Sequence, residues 1–197
     1  MLRIFSFFLF FQAAFVATPV LSQVADTSRI YRSLEEAMKS PDDVERLSLK
    51  GKRLDSIPDA VFSFPNLREL DLSRNRLTSL PARIGNLKKL RLLEMSNNLI
   101  DTLPEEIGGM TSLVFLGLNR NRIRYLPASI GELSSLEVLE MWDNELEEMP
   151  EEIAKLHNLR LLELRGILFT QEEQTRIDQL VVKSAKIYMS PACNCKN

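Results

Sequence analysis

One spacing constrains this chain more than any other feature: from Leu67 the pattern Leu-x-x-Leu-x-Leu-x-x-Asn returns every 23 residues. It reads Leu67, Leu70, Leu72, Asn75, then Leu90, Leu93, Met95, Asn98. It continues as Leu113, Leu116, Leu118, Asn121 and Leu136, Leu139, Met141, Asn144. Weaker copies begin at Val44 (Leu47, Leu49, Leu54) and at Leu159 (Leu162, Leu164). The second half of each unit repeats too. Ile57-Pro58, Leu80-Pro81, Leu103-Pro104, Leu126-Pro127 and Met149-Pro150 keep the same spacing, each followed by an apolar residue at Val61, Ile84, Ile107, Ile130 or Ile153.

Side chains two apart on a strand share one face, so Leu70 and Leu72 are expected to point inward together. A single unit cannot bury that face, whereas stacked copies form a parallel sheet over one continuous core. The Asn of each unit sits where the chain turns off its strand. An amide side chain both donates and accepts, so Asn75, Asn98, Asn121 and Asn144 are expected to satisfy backbone groups of their own and the adjacent turn. The Pro that follows has no N–H to leave unpaired and favours extended or first-turn backbone. The return segments are therefore predicted to be short irregular or 3-10 stretches. Every one of these Leu, Asn and Pro residues reads as structural.

The pattern LxxLxLxxNxLxxLPxxIGxL resembles the leucine-rich repeat family, in its 23-residue Leu-Pro subclass that includes the Ras-suppressor-like proteins. The resemblance covers roughly residues 44 to 169, about six copies. It implies an α/β solenoid: a right-handed coil with a concave parallel β-sheet, short convex segments and helical caps at both ends. It also implies a scaffold role. The Ras-suppressor-like relatives imply intracellular signalling, but the N-terminus contradicts that setting. Only fold and scaffold role carry over.

Met1-Leu2-Arg3 supplies a short positive end, Ile4 to Phe11 is apolar apart from Ser6, and Pro19-Val20-Leu21-Ser22 suits a cleavage site before Gln23. Residues 1–22 therefore read as a signal peptide of an exported, bacterial-type protein, secreted, periplasmic or at the cell surface. An uncleaved anchor is the competing reading, but Gln12 and Pro19 interrupt the run, and a spanning helix wants about 20 mainly apolar residues. No stable membrane insertion is expected after cleavage.

A solenoid exposes its core at both ends. Residues 23–43 are expected to form the N-terminal cap, with Ser33 and Glu36 as a capping box and a helix stopping before Pro41. Residues 170–197 are expected to form the C-terminal cap. There Thr170 and Glu173 make a second capping box, Ile177, Leu180 and Val181 mark an amphipathic helix, and Ala185 to Met189 is a seventh, closing strand. Cys193 and Cys195 are expected to pair in an oxidising compartment, with free or intermolecular thiols as the second reading.

With positions 4 and 6 of each unit inside, positions 3, 5 and 7 should face outward. Position 3 gives an apolar stripe of Leu92, Phe115, Val138 and Leu161; position 5 gives an acidic row of Asp71, Glu94, Glu140 and Glu163. Position 7 carries the only Trp of the chain, Trp142, and Gly117 is expected to leave a dip beside Phe115. A contiguous apolar patch edged by polar groups marks a binding surface, and aromatic residues anchor such surfaces. These ten residues are the expected partner site, centred on Phe115, Val138 and Trp142. The loop edge carrying Arg74, Arg76, Arg120 and Arg122, with Asn97 and Asp143 between, is a second candidate as a basic rim.

The expected partner is a protein; glycan or cell-surface polymer binding, and a structural spacer without a ligand, are the alternatives. A net charge of −2 without a Lys/Arg block gives no footprint for nucleic acid. The single His, His157, forms no triad, and there is no phosphate-cradling Gly-rich loop. Zinc would want four ligands. No catalysis, cofactor or metal is expected, and the protein should be a monomer.

Overall fold

The computed structural model describes residues 28–193; residues 1–22, expected to be a signal peptide, and Cys195 lie outside the described residues. Its centre is one parallel sheet of eight strands whose order in space is their order in sequence. The strands are β1 (Ile30–Tyr31), β2 (Arg46–Ser48), β3 (Glu69–Asp71), β4 (Leu92–Glu94), β5 (Phe115–Gly117), β6 (Val138–Glu140), β7 (Leu161–Leu164) and β8 (Lys186–Met189). From β2 to β7 the pairing register is the repeat itself: Leu47, Leu70, Leu93, Leu116, Leu139 and Leu162 are cross-strand partners.

Strands β2 to β6 each return through a 3-10 segment: Asp59–Ser63, Ala82–Asn86, Glu105–Gly109, Ala128–Glu132 and Glu151–Lys155. The residue ahead of each is the repeat's proline, extended at ψ 138 to 152. Its carbonyl accepts the N–H three residues on, as from Ile107 to Pro104 at 3.0 Å. The proline thus ends the extended run and opens the turn without wasting a donor. The apolar residue at that third position, Val61 through Ile153, is buried in every unit, against the Leu-x-Leu side chains of the sheet.

The glycine after that residue fixes how closely units stack. A Cβ on Gly108 would lie 2.7 Å from the Ser129 carbonyl oxygen, and one on Gly131 would lie 2.5 Å from that of Glu152. Neither gap admits a side chain. The first segment carries Phe62 instead and stacks less closely on its neighbour.

The ends differ from expectation in three ways. The sheet starts one strand early, because Ile30 and Tyr31 pair with Arg46 and Leu47, so the closing strand is the eighth. The N-terminal helix α1 (Leu34–Ala37) is a single turn, and Ser33 makes no side-chain cap. Glu36 pairs with Arg29 instead of reaching back, which removes the carboxylate a capping box needs. At the C-terminus, α2 (Gln171–Leu180) crosses over to β8, and Thr170 accepts the Glu173 N–H at 3.2 Å. The reciprocal half is absent because the Glu173 carboxylate takes the Met149 N–H at 2.8 Å and the Arg176 guanidinium. That carboxylate ties α2 to the last repeat. Phe169, Ile177 and Val181 then seal the core.

Candidate functional site

The four apolar side chains of position 3 form one continuous row: Leu92 pairs with Phe115, Phe115 with Val138, and Val138 with Leu161. All four are half-buried, held side by side on the open face of the sheet. At its N-terminal end the row becomes charged, with Arg46 donating to Glu69 at 2.6 Å.

Position 5 is more buried than an outward-facing row should be. Asp71 and Glu163 are 6% and 5% exposed, and Gly117 is buried. The reason is local: the carboxylate folds back onto the chain just beyond its own strand. Asp71 accepts the Ser73 N–H at 2.9 Å, Glu94 accepts that of Ser96 at 2.7 Å, and Glu163 accepts that of Arg165 at 3.1 Å. Each satisfies the first donor after the strand, where the chain leaves the ladder. Ser73 and Ser96 of position 7 are drawn in by the same contacts, and Asn119 is buried as well, rather than presented outward. Gly117 has no carboxylate, and Asn119 bridges this gap: it donates to Glu140 at 2.8 Å and accepts the Trp142 N–H at 3.0 Å.

The expected dip at Gly117 is absent. The Glu94 carboxyl leans into the space above that glycine, and the Phe115 ring edge is 2.9 Å from where a Cβ would stand. Burial pushes the Glu94 carboxyl above its ordinary range, opposed by its hydrogen bonds from Ser96 and reinforced by Glu140 and Asp71. Glu140 is pushed up by burial too, opposed by Asn119 and Arg165 and reinforced by Glu163. Glu163 is paired, held by Arg165 through Nε at 2.8 Å and Nη2 at 2.7 Å. Among the described residues no Lys or Arg forms an ion pair with Asp71, Glu94 or Glu140.

Below this face the four Asn side chains repeat one bonding scheme. Asn98 donates to the carbonyls of Leu72 at 3.1 Å and Met95 at 2.8 Å, and accepts the Leu77 N–H at 3.1 Å. Asn75, Asn121 and Asn144 do the same in their own units.

A leucine-rich repeat region model matches residues 43–187. The chain belongs to the leucine-rich repeat family. Among solved structures it is similar to a leucine-rich repeat protein of Leptospira interrogans, with 28% identity and a TM-score of 0.64 over 84% of this chain and 49% of that one. It is also similar to the leucine-rich repeat ectodomain of the Arabidopsis thaliana membrane receptor kinase GASSHO1/SCHENGEN3, solved in complex with Casparian strip integrity factor 2. That match has 35% identity and a TM-score of 0.54 over 64% of this chain and 15% of that one. The chain thus spans about half the length of the first and a small part of the second. Among curated proteins, no sequence matches it.

The leucine-rich repeat geometry also explains the loop edge. Arg74, Asn97, Arg120 and Asp143 stand 23 residues apart with φ between 54 and 60, and Gly51 and Gly166 occupy the same position in the terminal units. This backbone aims each N–H at the next unit, as from Arg120 to the Trp142 carbonyl at 2.9 Å. The two glycines announce the conformation in the sequence; the arginines hide it. Arg120 also stacks over Trp142, its guanidinium carbon 4.4 Å from the ring centroid, and pairs with Asp143 at 3.5 Å. Trp142 is half-buried, and with Asp143, Arg165 and Gly166 it lines a shallow cavity of about 290 Å³. Arg76 and Arg122 are exposed. Cys193 is disulfide-bonded, and its backbone N–H donates to the Phe169 carbonyl at 3.0 Å.

Proposed function

We propose that this leucine-rich repeat protein is a non-catalytic scaffold that captures a protein partner on the open, concave face of its sheet. The observation that carries this reading is the unbroken row Leu92, Phe115, Val138, Leu161, kept half-exposed across four adjacent strands with Trp142 beside it. Apolar groups that could have been polar at no cost to the core are what an interface uses. The plant ectodomain was solved with a bound protein factor, which supports a protein as the ligand class. A glycan would need an open aromatic face, and Arg120 already lies over the Trp142 ring.

We further assign the chain to the 23-residue Leu-Pro subclass, on the even spacing of its Leu-Pro pairs. The charged, apolar and small-residue order of residues 1–22 supports export of a bacterial-type protein that acts outside the cytoplasm. No helix of the described residues is long and apolar enough to cross a membrane. The test is site-specific photo-crosslinking in the native extracellular fraction. A photoreactive residue at position 138 should trap one partner, and the same residue in place of exposed His157 should not; equal trapping at both would reject the face as the site.

A further inference from the structure

The free protein carries an unmet charge at the centre of this face. Glu94 and Glu140 lie on β4 and β6, either side of Gly117, and both residues are half-buried. Other acids of the molecule have cations: Glu69 has Arg46, Glu163 has Arg165, Glu147 has Arg124 and Glu173 has Arg176. Glu94 and Glu140 have none among the described residues, and Asp71 and Glu163 stand next to them in the row. Their remaining partners are neutral, the N–H of Ser96 and the amide of Asn119. Arg165, which acts on Glu140 from across the row, is taken by Glu163. Burying a carboxylate without a counter-charge costs stability. Two such groups therefore sit, at a cost to the fold, directly beside the apolar row.

We propose that the partner docks through a cationic amphipathic helix lying across the strands, its apolar side chains on Leu92, Phe115 and Val138 and its Lys or Arg side chains on Glu94 and Glu140. This rests on the concave-face reading above. Strands two apart are separated by about 9.6 Å, and residues seven apart on a helix by about 10.5 Å, so cations at i and i+7 meet both carboxylates. The apolar residues at i+3 and i+10 of that helix, about 60° round from the cations, then face the row. Charge and shape select the same ligand.

The probe is a 14-residue peptide of Leu and Lys in helical period, bound to the full chain and followed by fluorescence anisotropy. A Leu/Glu peptide of the same pattern is the control. The Leu/Lys peptide should bind, the Leu/Glu peptide should not, and the Glu94→Gln/Glu140→Gln protein should bind at least tenfold more weakly. Glutamine keeps the acceptor oxygens for Ser96 and Asn119, so this variant should stay folded. Glu147→Gln/Glu148→Gln, on the exposed acidic edge, should leave binding unchanged. Equal binding to wild type and the Glu94/Glu140 variant, loss at Glu147/Glu148 instead, or no binding at all overturns the cationic helix. Loss on Phe115→Ser with no effect of Glu94→Gln/Glu140→Gln also overturns it, while leaving the concave face as the site.

Discussion

At the residue scale, the strongest consequences fall on groups whose partners are all backbone. Removing the Asn98 amide strands the buried N–H of Leu77 and takes one of two donors from the carbonyls of Leu72 and Met95, which keep those of Asn75 and Asn121. An unsatisfied buried polar group costs about 1–3 kcal/mol, so Asn98→Ala should lower stability by about that much in urea unfolding. A loss below about 1 kcal/mol would mean the Asn is not carrying these bonds. Arg74 shows the opposite case. Its φ of 57 is a conformation that glycine adopts freely, and among the described residues its side chain holds no ion pair. Arg74→Gly should therefore raise stability by about 0.5–1 kcal/mol. Glu94 and Glu140 bind protons more tightly when folded, because burial raises them. Their cost is thus fully present above their raised values and is relieved as pH falls through those values toward the ordinary carboxylate range. Glu94→Gln/Glu140→Gln should melt above wild type at pH 7, with the gap closing on acidification; a gap that widened would reverse the sign of the account.

At the scale of elements, what was legible in the sequence was what repeats. Strand positions, register and 3-10 returns follow from the 23-residue spacing, because the identical environment recurs in every unit. The two terminal elements were less legible. A two-residue strand such as Ile30–Tyr31 is too short for any period, and the capping-box spacing at Ser33 says nothing of Arg29 competing for Glu36. The site was legible in part. The apolar row could be read from alternation alone, but the inward fold of Asp71, Glu94 and Glu163 could not, since alternation assigns a side and not a hydrogen-bond partner. The filled space above Gly117 depends on a neighbour 23 residues away. For the C-terminal cap, we expect Cys193 to pair with Cys195, the only other cysteine of the chain. Intact-mass measurement after alkylation without reductant should show no added label; two labels would refute the bond.

At the scale of the whole molecule, the repeat divides its residues between two tasks. Leu, Asn, Pro and Gly build a solenoid whose units fit only their neighbours, so damage in the middle should spread along the stack. Gly108→Ala tests this, since its methyl meets the Ser129 carbonyl and the units on both sides must shift. It should cost about 1–3 kcal/mol and loosen the adjoining units in hydrogen exchange. On the proposed reading, partner recognition falls to the positions where the repeat varies, Phe115, Val138 and Trp142. The most direct measurement is partner capture by the Phe115→Ser/Trp142→Ser double variant, with a Leu99→Ser/Tyr125→Ser variant as control for loss of exposed apolar groups elsewhere. With all three proteins shown folded by circular dichroism, the first variant should lose the partner and the control should keep it. Undiminished capture by the first variant would contradict the account.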